Sequence, residues 1–260
     1  MDKIRIIDLD TESILEYGIC GYKNSKRPGF PEKLEWFDAR IREGLRVKIL
    51  VSESGGSKGM IEYIPGKFAW RPVDARGYMF IHCLFVGFKR EYKGRGYASL
   101  LLDACIKDAE ELKLSGVSVM TRQGAFMVGR ELFIKNGFEV VDSAPSDFEL
   151  LVKKIDSTAP DPKFVGDWDH KLEKFGKGLT IIRAYQCPYT VKNVNEISEV
   201  AEKQYGITPN IVTLKTSEEA QKSPCPFGIF CVIYNGNIIA EHPISSRRFT
   251  NIMNGIEKND

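Results

Sequence analysis

Short apolar runs alternate with polar, glycine-rich segments along the first part of the chain. Compact apolar runs predict strands, and apolar residues spaced three or four positions apart predict helices. Strands are predicted at 4–9, 47–52, 60–64, 78–86, 117–120, 140–141 and 148–154. Helices are predicted at 31–44 and along the apolar stripe from Ala98 to Leu112. This order predicts an α/β (α+β) fold built on a mixed sheet.

The pattern is interrupted at Asp156–Pro162 and then restarts. Two prolines among polar residues disfavour a continued helix or ladder, which is typical of a linker. Strands are predicted beyond it at 179–185, 210–214, 229–234 and 238–240, and helices after Cys187, at 217–221 and at 246–256. Asn235-Gly236 is a strong signal for a two-residue hairpin turn. We predict a domain at 1–155, a linker at 156–178 and a smaller domain at 179–260.

Composition excludes some function classes. The 260 residues are 43% hydrophobic and 28% charged, as in ordinary soluble domains. The net charge of +2 comes from interspersed residues of both signs, which argues against nucleic acid as the main partner. No apolar run approaches the roughly 18 residues of a membrane span, and the N-terminus lacks a signal-peptide core. We therefore expect a cytoplasmic protein without a membrane partner.

The strand at 78–86 leads into a basic turn, Lys93-Gly94-Arg95-Gly96, at the start of a helix. Glycines allow close approach to the backbone, and the N–H groups and dipole of a helix N-terminus favour an anion. The turn therefore predicts a phosphate or pyrophosphate site. The alternative is a junction whose two glycines serve geometry alone.

Two motifs resemble those of the GNAT-type N-acetyltransferases. The segment Glu91–Gly96 is similar to their Arg/Gln-x-x-Gly-x-Gly/Ala motif, except that Glu91 stands at the Arg/Gln position. Leu132–Phe138 resembles their Leu-Tyr-x-Lys-x-Gly-Phe signature. The likeness covers about residues 1–155, and the whole chain resembles the YoaP-like acetyltransferases, which add a thioredoxin-like domain. A GNAT mixed-sheet domain followed by a smaller thioredoxin-like domain is therefore the expected fold.

The resemblance implies acetyl-CoA as cosubstrate and an amine of a small molecule or peptide as acceptor. It implies that the backbones of Phe85 and Val86 bind the pantetheine arm. The implied pyrophosphate cradle consists of Lys93, Gly94, Arg95, Gly96, Tyr97, Ala98 and Ser99. The acceptor pocket would come from the variable segments 17–44 and 65–77.

The general base is left open between three options. A related branch carries a glutamate at the position that Phe80 occupies here, and phenylalanine cannot serve. His82 lies two residues on, on the same face of the strand, and imidazole titrates near neutrality. Glu62 in the preceding strand is the other candidate, and a water chain is the third. The structural alternatives are a buried histidine and a glutamate on a solvated face.

The general acid departs from the family pattern. Many members carry a tyrosine where this chain has Phe133, so the role of protonating the departing thiolate is vacant or filled elsewhere. Tyr78, Tyr92 and Tyr97 are nearby in sequence, and nothing singles one out.

The C-terminal part resembles a thioredoxin or glutaredoxin fold, with Cys187-Pro188-Tyr189-Thr190 at its first helix. Thr190 replaces the second cysteine of the usual dithiol. The resemblance implies a cis bond before Pro226 and places Cys225 opposite Cys187. Three interpretations stay open: a Cys187–Cys225 redox pair, a monothiol site, or a structural or recruiting module.

No Cys-x-x-Cys pair or zinc-like Cys/His spacing occurs, so no metal is predicted. The leading function is an acetyl-CoA-dependent N-acetyltransferase. The alternative is a thiol-redox or sensing protein whose first domain only binds coenzyme A, and a weaker one is a pure binding module. Homodimerisation stays open.

Overall fold

A computed structural model describes residues 3–53, 56–87, 92 and 94–258. The chain forms two compact units that are discontinuous in sequence. The first consists of Met1–Arg27, Leu34–Ala69 and Val73–Val165, and the second of Pro28–Lys33, Trp70–Pro72 and Gly166–Asp260. Two short segments of the N-terminal part therefore belong to the second unit, which the sequence pattern does not predict.

The main sheet of the first unit has seven strands in the order β1-β2-β3-β5-β6-β8-β7. Its neighbours are antiparallel except β5 and β6, which are parallel. Its strands are β1 (Ile4–Asp8), β2 (Arg46–Ser52), β3 (Ser57–Pro65), β5 (Tyr78–Val86), β6 (Gly116–Thr121), β7 (Glu139–Ala144) and β8 (Phe148–Lys154). A separate pair joins β4 (Val73–Asp74) to β9 (Lys163–Phe164).

Four helices accompany this part of the chain: α1 (Ser13–Tyr17), α2 (Phe30–Ile41), α3 (Tyr97–Glu111) and α4 (Arg130–Lys135). Helix α3 buries the apolar stripe predicted from the sequence, including Leu101, Leu102, Cys105 and Ala109. These residues pack on alternate positions of β3, β5 and β6, together with Phe133 of α4. The packing fixes α3, and with it the glycine turn at its N-terminus.

A buried polar cluster also holds α3 against the sheet. The carboxylate of Asp108 accepts a 2.6 Å hydrogen bond from the Tyr63 hydroxyl and lies 2.6 Å from Arg46 and 3.4 Å from Lys48. Burial alone would raise the pKa of Asp108, but hydrogen bonds from Tyr63 and Arg46 and the charges of Lys48 and Arg46 bring it below 3.8. Burial and the bond to Asp108 raise the pKa of Tyr63.

The second unit contains a four-stranded sheet in the order β11-β10-β12-β13. Strands β10 and β11 are parallel, and the other pairs are antiparallel. Its elements are α5 (Trp168–Glu173), β10 (Leu179–Arg183), α6 (Tyr189–Tyr205), β11 (Asn210–Thr213), α7 (Ser217–Gln221), β12 (Phe230–Tyr234), β13 (Asn237–Ala240) and α8 (Ser246–Glu257). Asn235 and Gly236 both have positive φ, so the predicted hairpin turn is confirmed.

The predicted mixed α/β fold class is confirmed: a large mixed sheet is followed by a second, smaller sheet. The thioredoxin-like fold of the smaller domain stays a prediction. The sequence pattern missed five short elements, namely α1, β4, α4, β9 and α5. Two of them, β9 and α5, lie inside the range predicted to be a linker. No helix formed by the described residues is long and apolar enough to cross a bilayer.

The predicted cis bond before Pro226 is wrong. No peptide bond among the described residues is cis. The Gly228 N–H donates a 2.9 Å hydrogen bond to the Cys225 carbonyl, which makes Pro226 the second residue of a β-turn. That position suits a trans proline because its fixed φ matches the turn, whereas a cis proline occupies the third position.

Pro28–Lys33 and Trp70–Pro72 pack closely within the second unit. A Cβ on Gly29 would lie 2.0 Å from the Pro188 carbonyl oxygen, and one on Gly228 would lie 2.9 Å from the carbonyl oxygen of Trp70. Arg71 is only 3% exposed. Its guanidinium donates to the carbonyl of Trp70 at 2.7 Å and lies 5.2 Å from the ring centre of Phe227.

We predict that Asp108→Asn lowers the free energy of unfolding by about 1.5–3 kcal/mol, because Arg46 and the buried Lys48 lose a charged partner. The folded-state pKa of Asp108 is depressed. Its contribution is therefore complete above about pH 4 and is lost as pH falls through the folded pKa. Urea unfolding at pH 3 to 7 measures both effects. Asp103→Asn, at an exposed position of the same helix, is the control, and equal losses would contradict the anchoring role.

We predict that Gly29→Ala destabilises the second unit by more than about 1 kcal/mol, since φ is +93° and the added methyl would meet the Pro188 carbonyl. Gly178→Ala is the matched control, because its φ is also +93° and a Cβ there meets nothing within 4 Å. Thermal unfolding followed by fluorescence compares the two variants. A stable Gly29→Ala protein would show that Pro28–Lys33 is not a tightly packed part of the second unit.

Candidate functional site

Strand β5 carries one residue more than β3 in the middle of their ladder. Glu62 pairs with Cys83, whereas the next residue, Tyr63, pairs with Ile81. His82 is therefore the extra residue of a β-bulge. A bulge bends its strand and increases the local twist, and bulges are frequent next to active sites.

The pairing of β5 with β6 ends at the same level. Their parallel ladder stops at Ile81 and Val119, although β5 continues to Val86 and β6 to Thr121. The two strands therefore diverge beyond the bulge, and the sheet opens there. Phe85 and Val86, both half-buried, lie in the diverging part of β5.

His82 and Glu62, the two predicted bases, form one buried pair. Nδ1 of His82 lies 3.5 Å from Oε1 of Glu62, and both side chains are 0% exposed. The rings of Trp36 and Phe80 lie 6.2 and 5.8 Å from the imidazole. Glu62 is thus not on a solvated face, and that alternative is wrong. His82 as a residue keeps 7% exposure, which its main chain provides at the opening.

Two hydroxyl groups of β6 are buried at this part of the sheet. The side-chain oxygens of Ser118 and Thr121 have no hydrogen-bond partner among the residues that the structure describes. Buried polar atoms without partners are uncommon in native proteins. Thr121 lies beyond the last β5–β6 pair, so its hydroxyl marks the level at which the strands separate.

The glycine turn leads directly into the N-terminus of α3. Gly94 and Gly96 have φ values of +70° and +74°, and a Cβ on either would meet nothing within 4 Å. Gly96 is the N-cap and no side chain caps the helix, so the first N–H groups of α3 point towards this open side. Among the other predicted residues, Arg95 is exposed, and Tyr97, Ala98 and Ser99 are half-buried. Lys93 lies outside the described residues.

Lys58 at the start of β3 also lies beside the turn, and the sequence analysis missed it. Its ammonium lies 3.3 Å from the Tyr92 hydroxyl and 4.8 Å from the centre of that ring. The two residues are 34 positions apart. No spacing rule links them, and only the pairing of β3 with β5 shows their proximity.

Phe133, at the position where the family often has a tyrosine, is a core residue. It is 1% exposed, and its ring stands edge-on to Phe138 at 5.5 Å. Among the tyrosines considered as replacements, Tyr78 lies at the start of β5, and its hydroxyl donates to the Pro160 carbonyl at 2.9 Å. The rings of Tyr92 and Tyr97 lie 6.4 Å apart near the glycine turn.

The cysteines of the second unit differ in environment. Cys187 is half-buried and lies two residues before α6, whereas Cys225 is fully buried, 3.8 Å from the Glu241 carbonyl. Burial, and then a hydrogen bond with Cys225, raise the pKa of the Cys231 thiol. Thr190 donates its hydroxyl to backbone carbonyls. Redox activity of Cys187 and Cys225 stays a prediction.

Two family models match different parts of the chain. The acetyltransferase (GNAT) family model matches residues 15–138, and the YoaP-like model matches residues 210–251. The uncharacterized N-acetyltransferase YoaP of Bacillus subtilis is 30% identical over 253 residues, covering 95% of this chain and 98% of that protein.

Solved structures match part of the chain at low identity. The PaiA N-acetyltransferase of Thermoplasma acidophilum, solved with coenzyme A, is 20% identical with a TM-score of 0.42, covering 58% of this chain and 99% of that one. A GNAT-family acetyltransferase of Staphylococcus aureus is 15% identical with a TM-score of 0.42, covering 59% and 99%. The relationship to YoaP extends along both units, and the chain therefore belongs to the YoaP-like N-acetyltransferases of the GNAT family.

Proposed function

We propose that the protein is an acetyl-CoA-dependent N-acetyltransferase that acylates an amine of a small molecule or peptide. The observation that carries this proposal is the opening between β5 and β6, which begins at the bulge residue His82 and leads towards the glycine turn. A pantetheine arm needs an extended backbone beside it, and a pyrophosphate needs N–H donors at one end of that path. Both requirements are met along β5 and α3.

Features of the described residues fit coenzyme A. The surface over Gly94 and Gly96 is open, and a side chain there would fill the space that a pyrophosphate needs. The uncapped N-terminus of α3 supplies N–H donors, and Arg95 adds a positive charge. The buried hydroxyl of Thr121 supplies a hydrogen-bonding group where the strands separate. When bound, acetyl-CoA supplies an acetyl group activated as a thioester.

We assign deprotonation of the amine to the His82–Glu62 pair. Nδ1 of His82 faces the Glu62 carboxylate at 3.5 Å, and the imidazole is the group of this pair that we assign to take the proton from the amine. The carboxylate then stabilises the imidazolium, and it holds the ring in one orientation before that. Trp36 and Phe80 keep water away from the ring, which strengthens this interaction.

No tyrosine is needed for the leaving group. Phe133 cannot donate a proton, but a thiolate has a pKa near 8 to 9 and leaves with modest help. Protonation of the thiolate can follow its departure. The missing hydroxyl therefore slows the reaction at most, and it is compatible with N-acetyl transfer.

We expect Gly96→Leu to weaken coenzyme A binding at least about tenfold, since its side chain would occupy the space over the helix N-terminus and remove charge-assisted hydrogen bonds. Gly206→Leu is the matched control. Gly206 ends α6 with a similar φ of +64° and has the same open surroundings, so it carries the same backbone strain without a role in binding. Titration calorimetry measures both. Equal affinity of the two variants would place the cradle elsewhere.

We expect His82→Gln to lower kcat by on the order of 10²- to 10⁴-fold with the affinity for acetyl-CoA retained, because only deprotonation of the amine is lost. Thiol release from acetyl-CoA with a panel of primary amines and lysine peptides gives kcat. His170→Gln is the control, since His170 also faces a glutamate, Glu173 at 3.2 Å, but is 75% exposed. A His82→Gln enzyme with normal turnover would return the histidine to a structural role.

A further inference from the structure

We propose that Lys58 binds a phosphate group of coenzyme A, and this inference rests on the proposed function. Lys58 lies outside both sequence motifs, on a different strand from the glycine turn. Its place at the turn follows from four sets of contacts.

Lys58 is the extra residue of a second bulge, this one in β3. Leu50 of β2 pairs with Gly59, and the next residue, Val51, pairs with Ser57. Lys58 therefore drops out of the β2–β3 register. Its carbonyl instead accepts a 2.8 Å hydrogen bond from the N–H of Gly87, the residue that follows β5. The backbone of Lys58 thus fixes the point at which the chain leaves β5 for the turn.

Tyr92 folds back over the same point. A Cβ on Gly87 would lie 2.8 Å from a ring carbon of Tyr92, so this glycine makes room for the ring. Lys58 also contacts Tyr92: its ammonium lies 4.8 Å from the centre of the Tyr92 ring and 3.3 Å from the Tyr92 hydroxyl. A cation held against an aromatic ring loses little further freedom when it binds an anion.

Tyr92 in turn lies beside the anion cradle. The ring of Tyr92 lies 6.4 Å from that of Tyr97, the first residue of α3. Lys58, Tyr92 and Tyr97 thus connect the start of β3 with the helix N-terminus, where the N–H groups are. Lys58 is therefore a cation placed at the edge of the cradle by the sheet rather than by the turn.

The charge of Lys58 is available for a ligand. Among the described residues no carboxylate lies within 4.0 Å of its ammonium. A phosphate oxygen is a stronger partner for an ammonium than a neutral phenol, because both groups are then charged. Coenzyme A offers two sources of this chemistry, its pyrophosphate and its 3′-phosphate.

The test compares coenzyme A with 3′-dephospho-coenzyme A by titration calorimetry. Lys58→Met keeps the aliphatic stem that covers Tyr92 and removes only the charge, and Lys58→Arg restores the charge. Lys67→Gln is the control, since Lys67 also lies over a ring, that of Phe68 at 4.7 Å. Circular dichroism melts confirm that each variant is folded.

We expect Lys58→Met to raise the Kd of coenzyme A about 10- to 100-fold, the effect of one charge-assisted contact, with most of the affinity regained in Lys58→Arg. A similar loss with both ligands assigns the contact to the pyrophosphate, and a loss confined to coenzyme A assigns it to the 3′-phosphate. Unchanged Kd values in Lys58→Met, or an equal loss of affinity in Lys67→Gln, would overturn the inference about Lys58 and leave the proposed function standing. A wild-type protein that binds neither ligand would overturn the proposed function with it.

Discussion

The bulge at His82 is the constraint on which the rest of the candidate site depends. The extra residue of β5, His82, lies between the Glu62–Cys83 and Tyr63–Ile81 pairs, and it coincides with the end of the β5–β6 ladder. A bulge bends its strand and increases the local twist, and β5 and β6 part at the same level. The His82–Glu62 pair and the opening of the sheet therefore meet at a single residue of β5.

The opening is useful only if α3 stays in place beside it. Apolar packing supplies most of the contact, but apolar contacts are not directional. The buried carboxylate of Asp108, with Tyr63 and Arg46 as partners, specifies one position of the helix along the sheet. The glycine turn begins this helix, and Asp108 lies near its other end. By fixing the helix, Asp108 also fixes the position of the cradle.

Periodicity was sufficient for the longer elements and for the glycine turn, because these have strong local signals. Periodicity cannot show that Glu62 is buried. Alternation along a strand indicates which side chains share a face, but it does not show which other elements cover that face. It could not locate either bulge, because an extra residue has no signature without the partner strand. The cis bond predicted before Pro226 is wrong because it was taken from the resemblance to thioredoxins. That resemblance does not show the local β-turn from Cys225 to Gly228. The place of Lys58 beside the glycine turn can be recognised only from the pairing of β3 with β5.

The discontinuous second unit has a consequence for biosynthesis. Pro28–Lys33 and Trp70–Pro72 leave the ribosome well before Cys187–Gly228, the part of the chain on which they pack. Until then, the side chain of Arg71, which is 3% exposed in the folded protein, lacks its partners Phe227 and Gln186. Early folding of the N-terminal half is therefore incomplete, and a nascent chain of this protein is open to aggregation and chaperone capture until its C-terminal sheet has formed.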